Sequence, residues 1–464
     1  MSEVYLGPNN APPIIVVSDG AKPITFEGQQ QTFFTGASYT YATKVGLPDS
    51  LVFSDKKNIG PRVGFAYTFP GLSNTVIRGG YGIFYQRDLE NKWVDSALNA
   101  PFVSTQNVTL DHSNFRSFDW FAPNTGAAGA ALGLFANDTH YRAGSIQAWN
   151  LSLEHTTWGT LFSAAYVGNT SRHLPNMEFL NQPSPGPGPP EPRERWPGSG
   201  LLYWMTYHAN ATYNGLQLKV QRPFAKGFQI LASYTYSKTI DDGSGTFVGE
   251  GSGGFYPQDS YDRRMDKGLA PQDVRHRFVV SYIYQLPFGK GKQFLNQGGV
   301  GSAILGDWQI NGITTFQTGS PVFVDQVCDR FNAFGLGGDP RPDLVGNPNG
   351  LSHSRPDGQQ VAEFFDTSAF SQYCPGPNGP FAYGNAGRDI VNGPGIKNWD
   401  FAIYRDFLIK GETNRLQFRA EFFNLANHPI FGQPGGTAGT PSFGAIGATA
   451  FDSREIQLGL KVYF

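Results

Sequence analysis

The residues whose types could support catalysis or metal binding are few, and their spacing does not bring them together. None of the eight histidines lies three or four positions from another, although that spacing is what places two imidazoles on one zinc ion. Residues 241–245 read Asp-Asp-Gly-Ser-Gly but lack the alternating ligands and closing Glu of a calcium loop, so we interpret them as a flexible loop. No Gly-x-Ser-x-Gly nucleophile motif occurs. The sequence predicts no enzyme activity, no metal site and no cofactor.

Two basic segments could instead contact an anion. Arg275, His276 and Arg277 form the densest ionisable cluster and begin a strand-like run. They could bind an anionic ligand or lipopolysaccharide, or they could form a charged rim where a strand leaves a membrane. Residues 289–292, Gly-Lys-Gly-Lys, resemble a phosphate-binding loop only weakly, because the full spacing and the following helix are missing. We expect a turn there.

The composition favours an all-β protein. Aromatic residues make up 14% of the chain and charged residues only 16%, while 58 Gly and 33 Pro supply turns. No window holds the roughly 18 consecutive apolar residues of a membrane helix, but a membrane strand needs only every second residue to be apolar. The net charge of −2 gives no electrostatic basis for nucleic-acid binding.

The last eleven residues, 454–464, have the pattern of a single membrane strand. Residues of one face are apolar and those of the other are largely polar, with Ile456, Leu458, Leu460, Val462 and Phe464 on the apolar side. A regular apolar stripe at the end of a soluble chain would invite edge pairing and aggregation, whereas a closed sheet in lipid would accommodate it. We therefore predict an antiparallel transmembrane β-barrel.

The other segments with strand character are separated by connections that alternate between short and long. From residue 60 we count about eleven strands, at residues 61–67, 75–85, 145–156, 160–167, 216–220, 228–234, 274–285, 308–317, 399–405, 416–423 and 454–464. Outer-membrane barrels have short periplasmic turns and long extracellular loops. The C-terminus falls on the short-turn side, as that topology requires. We expect residues 1–59, including the apolar run 14–17, to be mostly loop, with one possible strand at 33–41.

The end of the chain resembles the C-terminal assembly signal of bacterial outer-membrane barrels. The matching residues are Gln457, Gly459, Val462 and the terminal Phe464. The resemblance implies that outer-membrane lipid and the barrel-assembly machinery are partners of this protein. The alternative is an ordinary terminal strand that ends on Phe by chance.

Five further segments resemble the barrel of TonB-dependent receptors, in particular the Oar-like branch. They are residues 60–67, 77–85, 232–238, 273–278 and 416–424. The resemblance implies the C-terminal portion of a 22-stranded barrel over residues 60–464, an unknown extracellular ligand, and transport across the outer membrane of a Gram-negative bacterium. Neither a plug domain nor a TonB-contacting segment is recognisable in residues 1–59, and no secretory signal is either. We expect a fragment or a mis-called start, with TonB as a partner only if a missing N-terminal part is present.

A surface adhesin or carbohydrate-binding β protein is the alternative. Its strands would bury their apolar face between two sheets, whereas a barrel would turn it outward. In the barrel, Leu416, Phe418, Ala420 and Phe422 should face lipid, and the polar residues Gln417, Arg419 and Glu421 should line the lumen. Cross-strand partners are expected for Arg419 and Glu421, which lie two residues apart on one strand.

The only two cysteines, Cys328 and Cys374, both lie in the long connection over residues 319–397. The cell surface is an oxidising environment. We therefore predict a disulfide between them if that connection is extracellular.

Overall fold

The computed structural model describes residues 2–6, 11–21, 39–86, 134–197, 199–243, 256–297, 299–333, 337–376, 378–410 and 414–464. The low-complexity segment 126–131, most of the expected strand at 33–41 and residues 244–245 lie outside these ranges. Among the described residues, no helix is both long enough and apolar enough to cross a membrane.

Strands dominate the described chain. In chain order they are β1 (Ser2–Tyr5), β2 (Ile14–Val17), β3 (Thr40–Tyr41), β4 (Arg62–Thr68), β5 (Thr75–Gln86), β6 (Leu134–Asn137), β7 (Gly144–Thr157), β8 (Thr160–Phe179), β9 (Leu202–Ala225), β10 (Phe228–Asp241), β11 (Gly268–Leu269), β12 (His276–Gln285), β13 (Trp308–Gln317), β14 (Pro321–Val322), β15 (Asp325–Gln326), β16 (Asp343–Leu344), β17 (Phe370–Ser371), β18 (Val391–Asn392), β19 (Ile396–Lys410), β20 (Asn414–Phe423), β21 (Thr437–Ala438) and β22 (Glu455–Tyr463). The described residues also contain two short α-helices, α1 (Val300–Leu305) and α2 (Asp357–Ala362).

Eleven long strands form one antiparallel sheet in the order β22-β20-β19-β13-β12-β10-β9-β8-β7-β5-β4. Each long strand pairs with the next long strand in the chain, which is the arrangement of a meander. Each of the eleven strands overlaps one of the eleven predicted segments, so within the described residues the number of long strands and their approximate positions are confirmed. Alternating apolar and polar residues were sufficient to locate them because each strand exposes two different faces.

Two of the hairpin turns explain why the short connections can be so short. Trp158 and Gly159 link β7 to β8, and Lys226 and Gly227 link β9 to β10. All four residues have positive φ, between 49° and 75°. A two-residue hairpin of this kind matches the twist of the flanking strands and requires positive φ at both positions, which glycine adopts without strain.

The two edges of the large sheet run in the same direction. β4 leads from the long-loop side into the short connection at residues 69–74, and β22 also leads from the long-loop side to the C-terminus. Within the described ranges no pairing joins β4 to β22. An antiparallel pair between these two edges is therefore impossible in this arrangement.

Two strands continue far beyond the predicted bounds. Residues 168–211 were expected to form a long loop, but β8 extends to Phe179 and β9 begins at Leu202. Their pairing continues as far as Phe179 opposite Tyr203, with irregularities between Ser171 and Asn176. The prediction was wrong because residues 176–179 are all buried and show no alternation of buried and exposed residues.

The N-terminal segment also differs from expectation. β1 and β2 pair in antiparallel fashion, and β3 joins β2 in parallel, so residues 14–17 form a strand rather than a loop. Of the expected strand at 33–41, residues 33–38 lie outside the described ranges, and Thr40–Tyr41 belong to the small sheet rather than to the large one. Val4 and Ile15 pack in a core with Leu134 and Leu180. The segment thus lies with the long connections.

The long connections form a folded layer at one end of the sheet. Short strand pairs connect distant parts of the chain in this layer: β14 with β18, β15 with β21 and β16 with β17. A core beneath them is formed by buried apolar side chains, Val322, Val324, Phe365, Ala369, Phe370, Ala386 and Val391. Residues 319–397 are consequently a compact structure, not an extended loop.

Candidate functional site

The register of the large sheet separates its side chains into two faces. Leu458 lies opposite Ala420, which lies opposite Ile403, which lies opposite Ile310. On the remaining strands up to the other edge of the sheet, paired residues of the same face are again apolar or aromatic: Tyr234, Leu218, Ala164, Leu153, Ile77 and Tyr67. Because neighbouring strands keep paired residues on the same side, one face of the sheet is largely apolar.

The apolar face is open to the surroundings. Leu458 is 69% exposed and Leu460 is 66% exposed. In a soluble two-sheet sandwich such side chains would be buried, so their exposure argues against the adhesin-like alternative. Ala420 lies on the same face but is only 6% exposed, because this small side chain sits between the larger Phe418 and Phe422.

The opposite face is predominantly polar and contains Gln417, Arg419 and Glu421. Gln417 donates a hydrogen bond from its amide nitrogen to Asp406 at 2.8 Å and accepts one from Nε of Arg419 at 2.5 Å. Tyr463 donates to the same amide oxygen of Gln417 at 3.4 Å. These contacts form one network of side-chain hydrogen bonds across three neighbouring strands, β19, β20 and β22.

The partners of Arg419 and Glu421 agree with the expectation that the two do not pair with each other. Glu421 accepts a hydrogen bond from the hydroxyl of Tyr404 on β19 at 2.9 Å. The guanidinium of Arg419 lies 5.0 Å from the centre of the Tyr404 ring. Tyr404 is thus a cross-strand partner of both. This side-chain network lines one side of a polar cavity of about 270 Å³, and Gln309 of β13 also lines the cavity.

A larger cleft of about 600 Å³ lies where the long-loop layer meets the ends of the strands. Its walls carry both charge signs and two histidines, with Arg275 and Lys397 near the strand ends and His353 and His428 in the loops. The His353 ring lies 5.1 Å from the ring of Phe364. The cleft therefore offers aromatic surface, hydrogen-bond donors and both charge signs to a ligand that approaches from the long-loop side.

Buried ion pairs hold the loop layer in place, and sequence analysis did not find them. Arg341 lies 2.9 Å from Asp266, and both side chains are 1% exposed. Arg388 forms an ion pair with Asp241 at the end of β10. Asp241 belongs to the segment that we interpreted as a flexible loop, but it is 5% exposed and held by this contact. The partners are more than 70 residues apart in sequence, so no local pattern links them.

The structure joins the sulfur atoms of Cys328 and Cys374 in a disulfide, with the Cα atoms 5.3 Å apart. Gln326 lies beside the bond and donates hydrogen bonds to the carbonyl oxygens of Cys328 and Tyr373, at 2.8 and 2.9 Å. One amide side chain thus holds both cysteine-bearing segments in register.

The four residues predicted to form a C-terminal assembly signal lie on the edge strand β22 or just beyond it. Gln457 and Gly459 lie opposite Glu421 and Arg419, and Val462 lies opposite Leu416. Phe464 follows the strand and is fully exposed, at 100%. These four residues are therefore accessible at one edge of the large sheet.

The basic segments occupy different ends of the molecule. His276 begins β12 at its long-loop end, where its Nδ1 lies 2.8 Å from the hydroxyl oxygen of Tyr234. Arg275 lies 3.5 Å from Asp273. Residues 289–292 lie in the connection between β12 and β13, on the short-turn side. In the described ranges, no group of three or more His, Cys, Asp or Glu side chains has a geometry suited to a metal ion.

The model of a protein family, described as the outer membrane beta barrel domain, matches residues 15–457. The chain belongs to this family. The protein is accordingly an antiparallel outer-membrane β-barrel domain of a Gram-negative bacterium. Since hydrocarbon tolerates unpaired polar groups poorly, the apolar face of the barrel domain is the face that the membrane covers.

Several solved structures are similar to the barrel domain. The outer membrane transporter YddB from Escherichia coli is 9% identical with a TM-score of 0.45, over 88% of this chain and 41% of that one. The ferripyoverdine receptor of Pseudomonas aeruginosa is 11% identical, with a TM-score of 0.40, over 87% and 33%. The FrpB iron transporter from Neisseria meningitidis is 9% identical, with a TM-score of 0.37, over 87% and 39%. No curated protein matches the sequence.

The barrel domain spans 33–41% of the length of these three solved proteins. The similarity to these proteins therefore covers less than half of each of them.

Proposed function

We propose that this protein is the C-terminal portion of the barrel of a TonB-dependent receptor of the Oar-like branch, which takes up a ligand across the outer membrane. The five receptor-like sequence segments support this, and so does the position of the strands that contain them, since each segment overlaps a long strand of the large sheet. In this proposal the polar face, with Gln417, Arg419 and Glu421, lines the lumen.

The common direction of the two edge strands, β4 and β22, supports the proposal of a larger barrel. β4 and β22 both run from the long-loop side to the short-turn side. Bacterial outer-membrane barrels made of one chain have an even number of antiparallel strands. To close as a barrel, the eleven described strands would therefore need an odd number of additional strands that connect β22 to β4.

The positions of residues 2–6, 11–21 and 39–59 support the second part of the proposal, which is that these residues do not form a plug. A plug would fill the lumen between the strands. Val4 and Ile15 instead pack with Leu134 and Trp196 of the long connections, beyond the strand ends. We propose that the segment acts as an extracellular loop and that the plug and the TonB-contacting segment belong to a part of the receptor other than residues 2–464.

The ligand of such a receptor would meet the long-loop layer first. The cleft of about 600 Å³ lies on that side. Its combination of Arg275, Lys397, His353 and Phe364 suits a ligand with both polar and apolar groups.

The proposal is tested by an uptake assay with this chain, provided with an export signal. We expect it to give no accumulation that depends on TonB and on the membrane potential, because coupling requires a plug that TonB can pull. The control is the same assay on a complete receptor that contains the chain. Accumulation by the chain alone that requires both TonB and the potential would contradict the proposal.

A further inference from the structure

The connection between β12 and β13, residues 286–307, is the only short-side connection in the described ranges that contains a helix. Its helix α1 exposes large apolar side chains, with Val300 at 76%, Ile304 at 59% and Leu305 at 57%. Phe294, earlier in the same connection, is 49% exposed. A connection that only joined two strands in water would not be expected to expose so many large apolar side chains.

The position of α1 relative to the sheet is fixed by two side chains. Arg405 of β19 donates hydrogen bonds to the carbonyl oxygens of Ala303 and Ile304, at 2.5 and 2.7 Å. Trp308 donates from its indole nitrogen to the same carbonyl of Ile304 at 2.9 Å. The last carbonyls of a helix have no partner within the helix, so these donors satisfy them and hold the helix end against the sheet.

Both donors belong to the apolar face. Arg405 lies opposite Trp308 on one side and Phe418 on the other, and its guanidinium lies 4.4 Å from the centre of the Phe407 ring. Arg405 is nevertheless only 8% exposed. A charged group on a membrane-covered face is costly unless it is paired, and α1 supplies the pairing. The helix therefore lies on the outside of the barrel wall, not across the lumen.

We propose that residues 286–307 insert into the periplasmic leaflet of the outer membrane and anchor the barrel wall there. The exposed side chains of α1 continue the apolar face at its short-turn end, where the acyl chains meet the lipid headgroups. Lys290, which is exposed in the same connection, is placed to contact lipid phosphate. Amphipathic segments with apolar and basic residues bind membrane interfaces in this way.

The test uses a single introduced thiol, since the native cysteines are joined in a disulfide. The variant Ile304→Cys is labelled with an environment-sensitive fluorophore, and the protein is reconstituted in phospholipid vesicles. Only protein that shows the heat-modifiable mobility of a folded barrel is compared. We expect emission at shorter wavelength than in water, and quenching by lipids that carry a spin label high on the acyl chain.

Two matched variants make the outcome decisive. Ser73→Cys lies in the exposed turn between β4 and β5 on the same side of the molecule, and its label should show water-like emission and little quenching. Adding Arg405→Met to Ile304→Cys should shift the emission back toward that of Ser73→Cys, because α1 loses its hydrogen bonds to the wall. Emission and quenching at Ile304→Cys equal to those at Ser73→Cys would overturn the proposal.

Discussion

Arg341 and Asp266 form an ion pair of 2.9 Å in which both side chains are 1% exposed, although 75 residues separate them in sequence. The backbone nitrogen of Arg341 also donates a hydrogen bond to the side-chain amide oxygen of Gln258, at 2.9 Å. The pair thus ties the connection after β10 to the connection after β13. It is a structural contact of the long-loop layer.

Replacement of Arg341 by Met should loosen this layer. The substitution leaves Asp266 buried without its partner, and loss of one member of a buried pair costs about 3–5 kcal/mol. We expect faster hydrogen exchange in residues 256–270 and unchanged exchange in the long strands. The double variant Arg341→Met with Asp266→Leu should recover much of the protection, since neither charge of this pair remains; equal exchange in the single variant and the original protein would contradict the prediction.

A charge on the apolar face should destabilise the barrel, while the same charge on the polar face should not. Leu218 of β9 lies on the apolar face, and the adjacent Gln217 lies on the other. Leu218→Arg should cost about 2–4 kcal/mol if the residue lies near the membrane midplane. Gln217→Arg is the matched control. Denaturant unfolding in lipid measures both, and equal midpoints for the two variants would show that this face does not meet hydrocarbon.

Removal of Phe464 should impair assembly without disturbing the folded sheet. The side chain is fully exposed and follows β22, so its loss removes no packing. We expect the truncated chain to accumulate in the periplasm, while Phe464→Tyr, which keeps an aromatic ring at the end, inserts into the outer membrane. Cell fractionation distinguishes the two locations, and normal insertion of the truncated chain would exclude a role for Phe464.

The cysteines should be oxidised in protein taken from the outer membrane. Closing a loop of 46 residues is worth about 4 kcal/mol in the chain-entropy model. Mass spectrometry of an unreduced digest should show the peptides of Cys328 and Cys374 linked. Cys328→Ser should increase proteolysis within residues 319–397 and leave the long strands intact; detection of two free thiols would refute the disulfide.

The N-terminal segment should become less stable as the pH rises. Burial raises the pKa of Glu3 from 4.5 to about 8, although the backbone and side-chain nitrogens of Asn137 donate to its carboxyl group. The folded state therefore binds a proton that the unfolded segment releases. The stabilisation from Glu3 is complete below about pH 4.5 and is lost as the pH rises toward 8, at up to about 1.4 kcal/mol per pH unit.

Hydrogen exchange of residues 2–6 and 14–17 across this pH range, corrected for the intrinsic exchange rate, measures the effect. Glu3→Gln should remove most of the pH dependence because the amide does not ionise. Asp452→Asn, which changes an exposed carboxylate, should leave it unchanged. A pH profile that is the same for Glu3→Gln and the original protein would rule out Glu3 as the cause.

The sequence alone determined the large sheet. A strand that separates water from an apolar phase must alternate in residue type, and the alternation at residues such as Gln417 and Phe418 is visible without any knowledge of partners. The turns at Trp158–Gly159 and Lys226–Gly227 were equally local, because a glycine between two strand-like segments marks a position where the chain can turn tightly. These signals placed all eleven strands, the order of short and long connections and the two faces.

The tertiary structure decided everything that depends on contacts between distant segments. Asp241 looked like part of a loop because its partner, Arg388, is 147 residues away. Ile14–Val17 looked like loop because a short buried strand shows no alternation, and its pairing with β1 is what makes it a strand. No role was predicted for Arg405, and only the folded position of α1 shows what it binds. Local patterning reports which side of a strand meets water, but the burial of a charge or of a short apolar run is set by segments that approach only when the chain has folded.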